Sequence, residues 1–258
     1  MANTQVALQM YTLRNFLKTP EDIAVTMKKV SKIGYKAVQL SGLGPIDAKE
    51  LKNILDGEGL YACSSHYGID AFEKEYDKTV EDHKLWGTKL TAVPMMPVTL
   101  WNEEGFKSFA PRLNVIGEKL HKDGIILGYH NHNFELERFN GKTGLQILFE
   151  LTNPKYVTAE IDTYWITAGG GDPAAWIRKF PNRSPQVHLK DMTMRIKDKA
   201  RSQVMAEIGE GNLNWPEILN ACKTVGVEWY IIEQDACERD PFESVAISLK
   251  NVNAMGLK

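Results

Sequence analysis

Three cysteines are few for 258 residues, and Cys63, Cys222 and Cys237 are an odd number without CxxC spacing. A disulfide framework or thiolate zinc site is therefore not expected, and a reduced, cytoplasmic compartment is the simplest expectation. Charge of one sign is also missing, since 31 basic against 33 acidic residues leave a net −2. That balance gives no electrostatic ground for nucleic acid or an anionic membrane as partner. No run approaches the ~20 apolar residues of a spanning helix. The first residues lack a basic segment followed by a long apolar stretch. Linkers, low-complexity tracts and composition breaks are absent too, so residues 1–258 read as one domain. No Gly-rich dinucleotide turn follows the first strand-like run, where Met10-Tyr11-Thr12-Leu13 stands instead. Gly169-Gly170-Gly171 is not followed by a Walker lysine, so nucleotide binding is not implied.

What the chain does have is 43% hydrophobic and 25% charged residues, enough for a buried core. It also alternates. Short β-type runs fall at 6–11, 35–40, 61–67, 89–95, 125–130, 157–162, 185–191 and 229–235. Each is apolar or β-branched, as strands buried on both faces should be. Between them lie helical intervals near 19–34, 46–58, 70–86, 103–123, 142–152, 173–180, 215–226 and 241–255. Thr19-Pro20-Glu21-Asp22, Asp172-Pro173, Asn214-Trp215-Pro216 and Asp240-Pro241 are helix-start signals. Eight strand–helix units of about 32 residues match the size of a βα unit. The expected class is α/β, a single closed (β/α)8 TIM barrel, with a doubly wound open sheet as the alternative.

In such a barrel the chemistry sits at the C-terminal ends of the strands. Glu135 follows strand five, Asp162 ends strand six, His188 lies near the end of strand seven and Glu233 near the end of strand eight. On one rim, three carboxylates and one imidazole would converge on a single volume. Taken singly, a strand-end carboxylate is more often a cap or salt-bridge partner, and a lone histidine more often a packed core or rim residue. Together they suit a divalent ion: oxygen-rich ligation favours Mn²⁺, Mg²⁺ or Co²⁺, with Zn²⁺ as an alternative.

NHNFE (131–135), EIDTYW (160–165), VHLKD (187–191), GEGNLNW (209–215) and IIEQD (231–235) carry a resemblance that covers nearly the whole chain. The sequence resembles the xylose-isomerase-like superfamily of sugar isomerases and epimerases, which includes ketose 3-epimerases, hydroxypyruvate isomerase and inosose dehydratase. The resemblance implies metal ligands at Glu135, Asp162, His188 and Glu233, with Glu135 and Glu233 doubling as the acid/base pair. Two positions depart from the ketose 3-epimerases. Trp165 stands where they carry a substrate-binding histidine, and Met194, beside Arg195, stands where they carry an arginine. HLKD and EQD lean instead toward the inosose-dehydratase side.

Four further residues are expected to touch substrate: His66 after strand three, His132 after strand five, Trp165 after strand six and Lys190 two residues past His188. One of His130 and His132 is expected in the pocket. Lys190 would face the same way as His188 and bind a substrate oxygen. Glu207 and Glu210 either reach the site or are solvated, and Trp101 either walls a sugar or packs. The 194–203 segment, with Arg195, Lys197, Lys199 and Arg201, reads as a solvated, mobile lid, phosphate recognition being the alternative. The expected function is a metal-dependent isomerase or epimerase of a small sugar or keto-sugar, working through an enediolate. Two alternatives are a dehydratase of a keto-polyol and a non-catalytic sugar-binding barrel. The expected partner is a small-molecule sugar or keto-polyol, with no nucleic acid, no membrane and a homo-oligomer left open.

Overall fold

Eight short strands form the centre of the computed structural model, which describes residues 6–257. They are β1 (Val6–Gln9), β2 (Ala37–Leu40), β3 (Tyr61–Ser65), β4 (Leu90–Val93), β5 (Ile126–His130), β6 (Val157–Asp162), β7 (Gln186–Leu189) and β8 (Trp229–Ile232). All pair in parallel, in the order β3-β2-β1-β8-β7-β6-β5-β4. A single bridge, His66 to Ala92, joins the two ends of the sheet. The ring is thus a nearly closed (β/α)8 barrel, as the alternation of the sequence predicts, and the open doubly wound sheet is set aside.

Ten helices surround it among the described residues: α1 (Pro20–Ile33), α2 (Ala48–Gly57), α3 (Ile69–Lys74), α4 (Tyr76–Trp86), α5 (Glu103–Lys122), α6 (Gly144–Leu151), α7 (Thr163–Ala168), α8 (Pro173–Ile177), α9 (Trp215–Val225) and α10 (Pro241–Ala254). The start signals work as the sequence suggests. Thr19 and Asp22 form a reciprocal capping box, and Asp172, Asn214 and Asp240 cap α8, α9 and α10. Two differences stand out. The 70–86 interval is divided between α3 and α4, because Glu75 adopts φ −129°, ψ 37°. The 194–203 segment is no loop but the tip of an antiparallel hairpin, Asp191–Lys197 with Ala200–Ala206, turning through Asp198 and Lys199 at φ 50° and 65°. Arg195, Lys197, Lys199 and Arg201 are exposed on it, and Arg195 pairs with Glu238 at 3.0 Å.

The barrel's interior changes character along its axis. Ala7, Ala37, Cys63 and Ile231 form a small apolar floor. Two residues beyond Ala7 and Ala37, Gln9 and Gln39 join Glu160 of β6 and His188 of β7 in a fully buried polar layer. Above the rim, Asp191 fastens the 209–215 loop. Its Oδ2 accepts from the Gly209 and Gly211 amides and the Trp215 indole, and its Oδ1 from the Met192 and Leu213 amides, at 2.7–3.2 Å. The approach requires glycine at 211, where a Cβ would lie 2.2 Å from Asp191 Oδ1. Asp191→Ala would orphan five N–H donors around a buried position. It is expected to cost about 3 kcal/mol and to lower Tm by about 6–12 °C in a thermal melt. An unchanged Tm would show the loop to be held by its apolar contacts alone.

Candidate active site

Strand register brings the key side chains together. On β6 the inward positions are two apart, so Glu160 and Asp162 both face the barrel axis. Glu160 lies opposite His130 of β5, and Asp162 opposite His188 of β7. Glu233 follows β8 on the inward face, two residues past Ile231, the partner of His188. One ligand-type atom each of His130, Asp162, His188 and Glu233 lies within 4.8 Å of the others, and all four residues are buried. A second group, His66, His130, Glu160 and His188, lies one level deeper and shares two histidines with the first.

The deeper group orients the upper one. Glu160 Oε2 is 2.6 Å from His66 Nε2 and 3.5 Å from His130 Nδ1, while its Oε1 is 3.3 Å from His188 Nε2. Gln39 donates to Glu160 Oε1 at 2.7 Å, and its own Oε1 lies 2.7 Å from His188 Nε2. An amide oxygen only accepts, so His188 keeps a proton on Nε2. Nδ1, 2.7 Å from Glu233 Oε2, is left facing the upper group. Lys190 closes that group from the side, its Nζ 2.7 Å from Glu233 Oε2, 3.0 Å from Asp162 Oδ2 and 2.8 Å from Asp235 Oδ2.

The charges are strongly perturbed. Burial alone would push His188 down, but Glu160 and Glu233 lift it to about 10. Burial would likewise lower Lys190, yet Asp162, Glu233 and Asp235 hold its ammonium well above the usual range. Burial would raise Glu233, but Lys190 and His188 keep it well below an ordinary carboxylate. Asp162 goes the other way, up to about 6, because burial outweighs Lys190. Burial takes His132 down to about 3. Four carboxylates, Glu160, Asp162, Glu233 and Asp235, thus face one ammonium and one imidazolium. Among the described residues, Asp162 Oδ2 and His130 Nδ1 are buried without a well-aligned hydrogen-bond partner. The surplus of carboxylates over cationic groups, with His130 Nε2 3.8 Å from Asp162 Oδ2, is a donor set that fits a divalent cation.

Of the four metal-ligand candidates read from the sequence, the fold brings together Asp162, His188 and Glu233. It does not bring Glu135, whose place at the strand-five corner is taken by His130. The reason is local. β5 ends at His130, Asn131 turns to accept the Asp162 amide, and 134–136 form a 3-10 turn. That turn carries Glu135 behind the rim, where its carboxyl accepts from the Tyr129 hydroxyl at 2.8 Å and the His132 amide at 2.9 Å. Burial pushes Glu135 up to about 8 against these bonds. A group whose folded pKa is raised stabilises the fold at low pH and loses that contribution as pH rises through the folded value. Glu135→Gln is therefore expected to flatten the fall in Tm between pH 6 and pH 9 relative to the unmodified chain. Parallel falls in the two proteins would mean that another group is responsible.

A cavity of about 220 Å³ opens over the cluster, with His66, His130, His132, Lys190, Glu233 and Asp235 among its walls. Three of the four substrate candidates, His66, His132 and Lys190, thus border it. Trp165 stands behind His132, ring centroids 5.2 Å apart, with the Lys190 ammonium 5.6 Å from its ring centre. Glu207 and Glu210 are turned away: Glu207 accepts from Ser244, and both pair with Arg239. Trp101 stacks on Phe134 at 3.8 Å. The sequence reading gave no role to Gln39, Glu160 or Asp235. For Glu160 the signal was its two-residue spacing from Asp162.

Known proteins resemble this chain in sequence and in fold. Residues 27–251 match the profile of a family described as xylose isomerase-like TIM barrel. An inosose dehydratase of Geobacillus thermodenitrificans is 26% identical over 251 residues, covering 81% of this chain and 82% of that protein. An inosose dehydratase of Lacticaseibacillus casei is 22% identical, covering 86% and 85%. A sugar phosphate isomerase/epimerase of Parabacteroides distasonis superposes with TM-score 0.84 at 26% identity, covering 100% of this chain and 96% of that one. An L-ribulose 3-epimerase, TM-score 0.70 at 13% identity over 96% and 93%, shares the fold.

Proposed function

Since the chain belongs to the xylose isomerase-like TIM-barrel family, we propose that it is a divalent-metal-dependent enzyme that dehydrates a keto-polyol or keto-sugar. His130, Asp162, His188 and Glu233 would hold the ion. With two imidazoles and two carboxylates, the set favours Mn²⁺, Co²⁺ or Zn²⁺ over Mg²⁺. A bound ion would supply Lewis-acid polarisation of the substrate carbonyl. The residues themselves do the proton work. Glu233, kept ionised, takes the proton from the carbon next to the carbonyl. Lys190 gives a proton to the hydroxyl that leaves from the next carbon, so the products are an unsaturated ketone and water. Glu233 then releases its proton to solvent, and Lys190, held by Asp235, regains one from it, so both return to their starting states.

One observation carries dehydration over epimerisation. Base and acid candidates lie 2.7 Å apart on the same cavity wall, which suits removal of a proton and a hydroxyl from one face. Epimerisation needs a second base on the opposite face, and Glu135, the sequence candidate for it, is bound behind the rim. Isomerisation is the second reading. It is favoured by the 26% identity to the Parabacteroides distasonis protein, and would have Lys190 return the proton to the neighbouring carbon.

The test is NMR of inososes and keto-sugars in D₂O with the purified chain and Mn²⁺. Dehydration predicts loss of the α-proton signal together with new absorbance from an unsaturated ketone. Deuterium uptake with a rearranged ketose or aldose would shift the conclusion to isomerisation. Binding without exchange in any candidate would leave a sugar-binding barrel.

A further inference from the structure

Beside the reaction cavity lies a second, larger one of about 380 Å³, between α2 and α4. Lys78, Asp82 and Trp86, four residues apart on α4, form one side. Ala48 and Leu51 of α2 form the other, and the Trp86 indole donates to the Ala48 carbonyl at 3.0 Å. The 41–46 loop roofs the slot and is fixed in place. The Gly44 amide donates to the Leu17 carbonyl at 2.6 Å, and a Cβ at Gly44 would lie 2.2 Å from the Lys18 oxygen. Ser41 and His66 stand in the walls of both cavities, so the two spaces meet at that pair.

We propose that the slot is a substrate subsite, and that the preferred substrate carries a second, uncharged ring on its reacting keto ring. The inference rests on the keto-ring reading above and names the substrate class more closely. Size is the first argument. Small-molecule pockets run from about 300 to 1,000 Å³. The reaction cavity's 220 Å³ falls below that range, and the two spaces together fall inside it. Chemistry is the second. Leu43, Pro45, Ile46 and Tyr67 offer apolar and aromatic surface, suited to the face of a glycosyl or aryl ring. The one cation in the wall, Lys78, is bound to Asp82 at 2.6 Å. It therefore offers polar contacts to hydroxyls and no free charge for a phosphate. The preformed roof lowers the ordering cost of binding.

Calorimetric titration of the full, Mn²⁺-loaded chain tests this with four inert ligands, in each of which a hydroxyl replaces the carbonyl. They are the bare polyol ring, its phenyl ether, its glucosyl ether and its phosphate ester. The phenyl or the glucosyl ether is expected to bind at least tenfold tighter than the bare ring, and which of them does identifies the second ring. Ile46→Trp, which fills the slot, should bring that ratio to within twofold of one and leave the bare ring unchanged. Lys78→Ala, at an exposed position that should fold normally, should weaken the glucosyl ether about threefold and the phenyl ether hardly at all. The proposal is overturned if the phosphate ester binds tightest, if neither ether gains on the bare ring, or if Ile46→Trp weakens all four alike. Turnover is measured alongside. Selective binding without turnover of any keto form would refute the proposed reaction and keep the subsite. Turnover of the bare keto ring without selective binding would do the reverse.

Discussion

His130→Ala is expected to strip the chain of bound metal, whereas Glu135→Gln keeps it. His130 is the imidazole that the β5–β6 register sets opposite Glu160, and it sits in both ligand-type groups. Removing it leaves Asp162, His188 and Glu233 with an open corner in a buried site. Loss of one protein ligand from a catalytic set is expected to lower metal affinity by 10²-fold or more, and turnover with it. Glu135 binds Tyr129 and the His132 amide instead, so a glutamine there should leave metal content near that of the unmodified chain. Metal analysis after dialysis distinguishes the two cases. Metal retained in His130→Ala and lost in Glu135→Gln would restore the glutamate to the ligand set.

Lys190→Met has the second large effect, and it should separate two steps. The ammonium is fully buried and lies within 3.0 Å of Asp162, Glu233 and Asp235. Breaking a buried ion pair by removing one partner costs about 3–5 kcal/mol. In chelator the melting temperature should therefore fall by about 6–20 °C, and added Mn²⁺ should recover part of it by neutralising the same carboxylates. Turnover should fall by ~10²-fold or more with the proton donor gone. Exchange of the α-proton into D₂O should continue, because Glu233 remains. A variant that loses exchange and dehydration together would make Lys190 the base. An unchanged Tm in chelator would show that the carboxylates are protonated there rather than paired.

The ring of eight strands was legible because both its periods were in the sequence, short apolar runs and capped helical intervals between them. That Asp162, His188 and Glu233 converge was legible for a related reason: each lies within one residue of a strand's end, where direction is set by the pleat. Glu135 falls outside the cluster because it lies five residues past the end of β5, beyond the reach of any strand rule. The intervening Asn131 spends its side chain on the Asp162 amide and reverses the chain. His130, the last residue of β5, followed the pleat and occupies the corner. Glu160 was hidden for the opposite reason. A carboxylate inside a strand is normally excluded from a barrel's core, and only the structure shows the three histidines and Gln39 that compensate it. The 194–203 segment shows the same limit. Its charge suggested a lid, while its four residue pairs make it the outer part of a hairpin ladder of seven.

The lone His66–Ala92 bridge gives the barrel a seam. Every other neighbouring pair of strands is laced by a ladder, and the β7–β8 junction lies diametrically across from the seam. Thermal breathing should therefore concentrate between β3 and β4, where few main-chain bonds oppose it. His188 and Asp162, on the laced side, would stay in register while the seam opens and closes. His66 sits on the seam and also forms the threshold between the two cavities. The same weak stitch that leaves the ring imperfect would thus act as an expansion joint. It would let the passage widen for an entering ring while the candidate metal-holding residues keep their register.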